Sequence, residues 1–517
     1  MNAIELSLFS NRLAAVCDEM GAILQRAAFS PNIRDRLDYS CAIFDAKGDL
    51  CAQAAHIPVH LGSMAYAMQS IVCDFDWQPD DMLIVNDPYL GGTHLPDVTL
   101  ISPLINNGKL LAFVANRAHH ADIGADSPGS MPISSSLEEE GLIIPPSYLV
   151  RQGKLQHSVM DKLTAATRQP QSMQGDIAAQ MSANRTGCQR LNEMIDALNV
   201  DDEFAFSAAL DALNDYAERL AKPVYKKIPD GQYSFTDYMD DDGQGQQRIP
   251  VTVCITVQGN QIDVDFNGTA AQVAGNINCP LSVAAAAVYY VFRCLLPAHT
   301  PACAGSFRAI HLKAPEKCLV NASRPAAVAA GNVETSTRIV DVLIGALLQA
   351  IPKQLAAASH GSMNNVAMGF IGDSQQAAWD YYETIGGGMG ASAHAKGLTA
   401  VQTHMTNTLN TPVEVLETSY PLRIKQYAIR KGSGGAGKNS GGDGIIREYE
   451  FSHQARVTLL TERRDLSPWG VEGGGEAQPG KNSLNGKTLP AKISVQVKQG
   501  DCLKIETPGG GAWGKRV

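Results

Sequence analysis

Apolar residues open the chain at helical spacing: Ile4, Leu6, Phe9, Leu13, Val16, Cys17, Met20 and Leu24 recur every three or four positions. This periodicity predicts an amphipathic helix of about six turns, packed on the first domain. Between residues 30 and 49 the texture changes to short strands and turns, and Leu110-Leu111-Ala112-Phe113-Val114 reads as a buried strand. Helical periodicity dominates from roughly 167 to 221, then yields to alternation over 233–266, as in Ile262-Asp263-Val264-Asp265-Phe266. Alternation of that kind signals antiparallel strands. Residues 283–296 and 335–350 read as buried helices, with strand and loop over 301–325. The last hundred residues are dense in glycine, but apolar strands at 456–460 and 493–497 interrupt them, so turns rather than disorder are expected.

These elements define a mixed α+β, multi-domain fold. We expect an N-terminal domain over 1–224 that holds a metal site, a central mixed α/β domain over 225–420, and a C-terminal Gly-rich β domain over 421–517. Length agrees, because 517 residues exceed what one core organises.

Two short segments carry the candidate chemistry. The first is Asn86-Asp87-Pro88-Tyr89-Leu90-Gly91-Gly92-Thr93-His94-Leu95-Pro96-Asp97, and the second is Arg117-Ala118-His119-His120-Ala121-Asp122-Ile123-Gly124. Together they hold three histidines and three carboxylates, donors that suit a hard-to-borderline divalent metal where thiols are absent. His94-x-x-Asp97 can converge on one ion either as neighbours on a helical turn or, the preferred reading, from a loop bent by Gly91, Gly92 and Pro96. If extended geometry persists beyond the second strand, His120 and Asp122 share a face and an ion, and His119 points the other way, second to the metal or toward substrate. The competing structural reading is that these side chains satisfy turn hydrogen bonds. His56 and His60 are spaced for a helical metal pair, but Pro58 between them argues against a regular helix, leaving them to line the site. The cluster Glu138-Glu139-Glu140 reads as a solvated face or a first helical turn. Glu383-Thr384-Ile385-Gly386-Gly387-Gly388-Met389-Gly390 either presents N–H groups to an oxyanion or allows backbones to pack closely; it is not a phosphate-binding P-loop.

Composition narrows the class. A net charge of −10 and the lack of any basic run exclude a nucleic-acid face. Eleven scattered cysteines without a C-x-x-C pair fit reduced thiols in a cytoplasm. The first residues carry neither a basic region nor a continuous apolar core, and the longest apolar stretch is broken by Arg293, so neither signal peptide nor membrane span is expected.

With these motifs in place, the chain resembles the hydantoinase B / oxoprolinase family, nearly end to end. Further motifs that carry the resemblance are Asp38-Tyr39-Ser40-Cys41, His60-Leu61-Gly62-Ser63-Met64, Thr406-Asn407-Thr408, Gly441-Gly442-Asp443-Gly444 and Thr507-Pro508-Gly509-Gly510-Gly511. The resemblance implies a subunit that works with an actin-like, hydantoinase A-type ATPase subunit, which binds ATP and phosphorylates the substrate carbonyl while this chain supplies a divalent metal. Carried over, the metal ligands are His94, Asp97 and Asp122, with His119 or His120 close by. The chain departs from the family pattern at Ala125, at Ala302-Cys303-Ala304 and at Lys396, positions that bear on the substrate pocket.

The implied reaction is ring opening of a cyclic amide such as a hydantoin, 5-oxoproline or another lactam. In that scheme His119 or His120 is the general base or proton donor, and Asp87 orients a ligand histidine. His60 and Glu383 support the site or face substrate. The metal, Zn, Mn or Fe by ligand softness, lowers the pKa of a bound water toward roughly 7. The same parts serve ATP-dependent ketone carboxylation of the acetone or acetophenone type, and a third reading is a non-catalytic scaffold with a structural metal. Assembly as a hetero-oligomer such as α2β2 is expected.

Overall fold

In the computed structural model, which describes residues 3–54, 57–197, 203–372 and 377–516, the opening helix spans Ala3–Ala27. It buries Leu13, Met20 and Leu24 completely. Each such side chain stabilises the fold by roughly 1.5–3 kcal/mol. The helix lies against a second long helix, Pro170–Ala197, and together they cover one face of a seven-stranded sheet.

That sheet is built from β1 (Tyr39–Asp45), β2 (Leu50–Gln53), β3 (Met82–Val85), β4 (Asp97–Asn106), β5 (Lys109–His119), β6 (Ser147–Arg151) and β7 (Lys154–Leu155). The strand order is β2-β1-β5-β4-β3-β6-β7, every pair antiparallel. Both faces of its centre are dry, which is why β5 reads as an unbroken apolar run. Cys41, Ile43 and Val114 enter the core of the opening helix, whereas Ala42, Phe44 and Phe113 enter a second core with Met64, Met68 and Ile71 of the helix Pro58–Cys73.

Pro58 starts that helix rather than interrupting it. At the first helical position its missing N–H costs nothing, so His60 lies in a regular first turn. His56 lies outside the described residues.

Beyond the helix Glu203–Tyr225 the expected strands form as Gly231–Asp241, Gln247–Gln258 and Gln261–Asp265, joined by Ile310–Lys313 in a four-stranded sheet. The helices Leu281–Leu295 and Ser336–Leu348 pack into its core. A second four-stranded sheet takes Asn365–Phe370 and Trp379–Glu383 from before residue 420 and Ala455–Leu460 and Lys492–Val497 from after it. A five-stranded sheet completes the C-terminal part.

The triple glycine serves backbone packing. Gly388 donates to Pro508 O at 3.0 Å, and a Cβ there would lie 1.9 Å from Gly442 O. The N–H groups of Gly387 and Gly390 are likewise spent, on Val401 O and Ser359 Oγ. Among the described residues no helix is long and apolar enough to cross a membrane.

Candidate metal centre

The site begins with a hairpin. Asn107 and Gly108 take φ of 48° and 78° and join β4 to β5 in a two-residue turn, the conformation for which Asn-Gly is favoured. A one-residue register shift at Leu104/Ile105 then sets Asp97 directly opposite His119. Without the bulge Asp97 would face Ala118, because a slip of one residue exchanges the two faces of a strand. His94 arrives from the turn before β4, where Asp97 N–H donates to His94 O at 3.1 Å.

Three imidazoles surround the Asp97 carboxylate. His94 Nε2 and His119 Nδ1 each lie 3.2 Å from Oδ1, and His60 Nε2 lies 3.1 Å from Oδ2. Thr93 Oγ1 donates to Oδ2 at 2.5 Å, and Asn332 Nδ2 donates to it at 3.3 Å from the π-helical turn Gly331–Thr335. His94, Asp97, His119 and His60 are at most 2% exposed. His94, Asp97 and His119 can each offer a ligand atom within 4.8 Å of the others, a spacing that admits one ion.

Hydrogen bonds select the ring tautomers. His94 Nδ1 lies 3.1 Å from Ala329 O, and a carbonyl only accepts, so Nδ1 carries a proton and in the neutral ring the lone pair is on Nε2. His119 Nε2 is buried without a hydrogen-bond partner, and His94 Nε2, although 3.2 Å from Asp97 Oδ1, is not aligned for a hydrogen bond. Such orphaned atoms are costly unless something fills the site, and two imidazoles beside a carboxylate fit a divalent metal. Burial works to raise the pKa of Asp97, but the charges of His60 and His94 and the bonds from His119 and His60 hold it well below the usual carboxylate range. Burial lowers the pKa of His119, whereas at His94 burial is outweighed by the charge of Asp97, which raises it.

Neighbours fix these groups in place. The His119 ring stacks on Tyr382 at 4.8 Å, and Arg36 lies over that tyrosine with its guanidinium carbon 4.8 Å from the ring centre. Tyr382 Oη donates to Asn365 Oδ1 at 2.5 Å. Buried Arg117 donates to Thr99 Oγ1, Ser63 Oγ and Gly91 O at 2.7, 2.7 and 2.8 Å, tying together the elements that bear His119, His60 and His94. Glu140, buried unlike Glu138 and Glu139, accepts from Val328 N and Ala329 N at 2.8 and 2.9 Å and so holds the carbonyl that orients His94. Burial pushes its pKa up to about 7.

Several candidate residues sit elsewhere. Asp122 is not brought to this group, because β5 ends at His119 and the chain turns away instead of continuing extended. Both Asp122 oxygens are occupied: Oδ1 by Gly124 N, Ser130 Oγ and Arg168 Nη2, Oδ2 by Thr167 Oγ1 and Arg168 N. His120 faces the opposite side of the sheet from His119, with Nε2 2.9 Å from Gln180 Oε1. Asp87 caps the turn Pro88–Leu90 and pairs with Arg324. Glu383 lies in a buried pair with Arg447 at 3.0 Å and bonds with Tyr381 and Tyr449, while its neighbour Tyr382 faces His119. Asn332 and Ala329 were not singled out in the sequence, since both are far from the histidines along the chain; Glu140 was read only within a solvated face or first helical turn, and Tyr382 only as part of the stretch around the Glu383 motif. Only the Asn107-Gly108 turn offered a local signal, for the Asp97–His119 pairing.

A buried His/Asp group borne by an antiparallel sheet within this α+β architecture has relatives. The chain belongs to the hydantoinase B/oxoprolinase family, whose model matches residues 2–516. It is 40% identical to an uncharacterised protein of Methanocaldococcus jannaschii, over 99% of this chain and 91% of that one. It is 37% identical to the 5-oxoprolinase of Dictyostelium discoideum over its whole length, but spans only 40% of that protein. Among solved structures it is similar to the ATP-dependent caprolactamase from Pseudomonas jessenii, with a TM-score of 0.92 and 27% identity, covering 100% of this chain and 91% of that one.

Proposed function

We propose that this chain is the metal-containing subunit of an ATP-dependent cyclic-amide hydrolase, opening a hydantoin, 5-oxoproline or a related lactam together with an actin-like ATPase subunit. The observation that carries this reading is the buried His94–Asp97–His119 group, with His119 Nε2 left without a partner and His94 Nε2 turned onto Asp97. The names 5-oxoprolinase and ATP-dependent caprolactamase borne by relatives support the substrate class and the use of ATP. The family's name, hydantoinase B, supports a separate partner subunit.

His94, Asp97 and His119 would hold the metal, and Asp122 is left to its Arg168 clamp. A divalent ion bound there supplies Lewis-acid polarisation and lowers the pKa of a water it binds. Ala329 O holds the Nδ1 proton of His94, so the Nε2 lone pair faces the site. The Tyr382 ring fixes the plane of His119. His60 holds a proton between its Nε2 and Asp97 Oδ2, with Ser40 Oγ 3.4 Å from its Nδ1, a position that His120 cannot take from the far face of the sheet.

Metal content by plasma mass spectrometry tests the ligand set, with wild type beside His94→Ala, His119→Ala and Asp97→Asn. The expected result is near-stoichiometric Zn, Mn or Fe, lost in all three folded variants. ATP-dependent ring opening with the ATPase subunit should fall by at least a hundredfold alongside. Metal that persists in all three, or is absent from wild type, rejects the ligand set. Loss of metal without any cyclic amide being opened by the wild-type pair rejects the reaction.

A further inference from the structure

A cavity of about 300 Å³, lined by none of the residues of the histidine group, opens where two helices meet. The helices Pro58–Cys73 and Leu281–Leu295 meet so closely at Gly62 that a Cβ there would lie 2.5 Å from Ala286 Cα. Beyond that contact Tyr289, Tyr290, Arg293, Ala302 and Phe307 line the cavity. Tyr289 and Phe307 stack at 4.6 Å and 19°, giving the cavity a flat aromatic side.

Arg293 is out of place in such surroundings. Its Nη1 is buried with no hydrogen-bond partner, and among the described residues no carboxylate forms an ion pair with it. Burial holds its pKa below the usual range for arginine. A guanidinium nitrogen buried without a partner is costly, and the guanidinium fork is shaped for the two oxygens of a carboxylate. A single guanidinium balances one negative charge, so a monoanion suits it better than a phosphate dianion. An apolar cavity of this size with one convergent charged group has the build of a small-molecule site.

We propose that this cavity binds a small organic carboxylate with a flat apolar body, its carboxylate on Arg293 and its body against Tyr289 and Phe307. The site is distinct from the metal centre and goes beyond the proposed hydrolysis.

Isothermal titration calorimetry on the full chain tests it with phenylacetate and its neutral counterpart phenylacetamide. Phenylacetate should bind to one site, with the amide at least tenfold weaker. Arg293→Gln should weaken phenylacetate at least tenfold while leaving the amide within about twofold, and Ala302→Phe, which fills the cavity, should abolish both. Because the arginine is unpaired, Arg293→Gln should melt at or above the wild-type temperature without ligand. The proposal is overturned if the amide binds as well as the acid, if either variant binds phenylacetate like wild type, or if no heat is seen up to about 10 mM. It also fails if Arg293→Gln melts several degrees lower, or if Asp97→Asn alone removes binding, which would place the carboxylate at the metal.

Discussion

Glu140 accepts all three of its hydrogen bonds on one oxygen, leaving Oε2 buried and bare. That asymmetry suits a carboxylic acid with its proton on Oε2 better than a carboxylate. With its pKa pushed from the ordinary 4.5 up to about 7, the folded state favours the neutral form. The stability this confers is full below about pH 4.5 and is lost as the pH rises through about 7, where the unfolded chain holds fewer protons than the folded one. Glu140→Gln keeps the accepting oxygen and removes the titration. The variant should therefore gain on wild type by about 1–3 kcal/mol between about pH 5 and pH 8. Melting temperatures of both proteins at those two pH values check this, and a gap that does not widen with pH would show that Glu140 stays ionised.

At the scale of elements, the centre depends on a bulged hairpin and on one arginine bracing it. The apolar run of β5, the opening helix and the helices near 283–296 and 335–350 were legible because their side chains repeat with the period of the element they form. The partner of Asp97 was not. Its pairing with His119 rests on a register shift at Leu104/Ile105, and no periodicity reports whether a hairpin contains an extra residue. Extended geometry assumed past His119 carried Asp122 to the metal; the chain instead bends at Ala121, and Arg168 takes Asp122. Arg117 stood in the same motif with its role hidden, since its acceptors Ser63 and Gly91 are close only in the fold. Its three bonds run to three elements, which a lysine cannot reproduce from one point charge. Arg117→Lys should weaken metal binding by about 10–100-fold while leaving the ligands themselves intact. A competition titration against a chelating dye measures this, and unchanged affinity would mean the hairpin holds its geometry unaided.

Taken whole, the molecule gathers its centre from segments around residues 38, 60, 94–97, 119, 329–332 and 382, so the site exists only when the parts are assembled. A metal bound there stabilises the folded state in proportion to its affinity and its free concentration. Stripping the metal with a chelator should lower the melting temperature by several degrees, and Asp97→Asn should melt the same with or without chelator. Equal chelator sensitivity in the variant would place the stabilising ion elsewhere. The mixed α+β class was readable from the switch between periods near residue 225, where a helix ends and antiparallel strands begin. The boundary expected at 420 was drawn from glycine density, which reports turns but not which strands they join. Strand pairing crosses that point, since Asn365–Phe370 hydrogen-bonds to Ala455–Leu460. A gene exchanged at codon 420 would therefore deliver half a sheet, and its edge would have to recognise a stranger's strand. The heritable unit on the C-terminal side reaches back to Asn365 and takes in Tyr382, so this part of the chain cannot be traded between relatives without also trading the ring that His119 rests on.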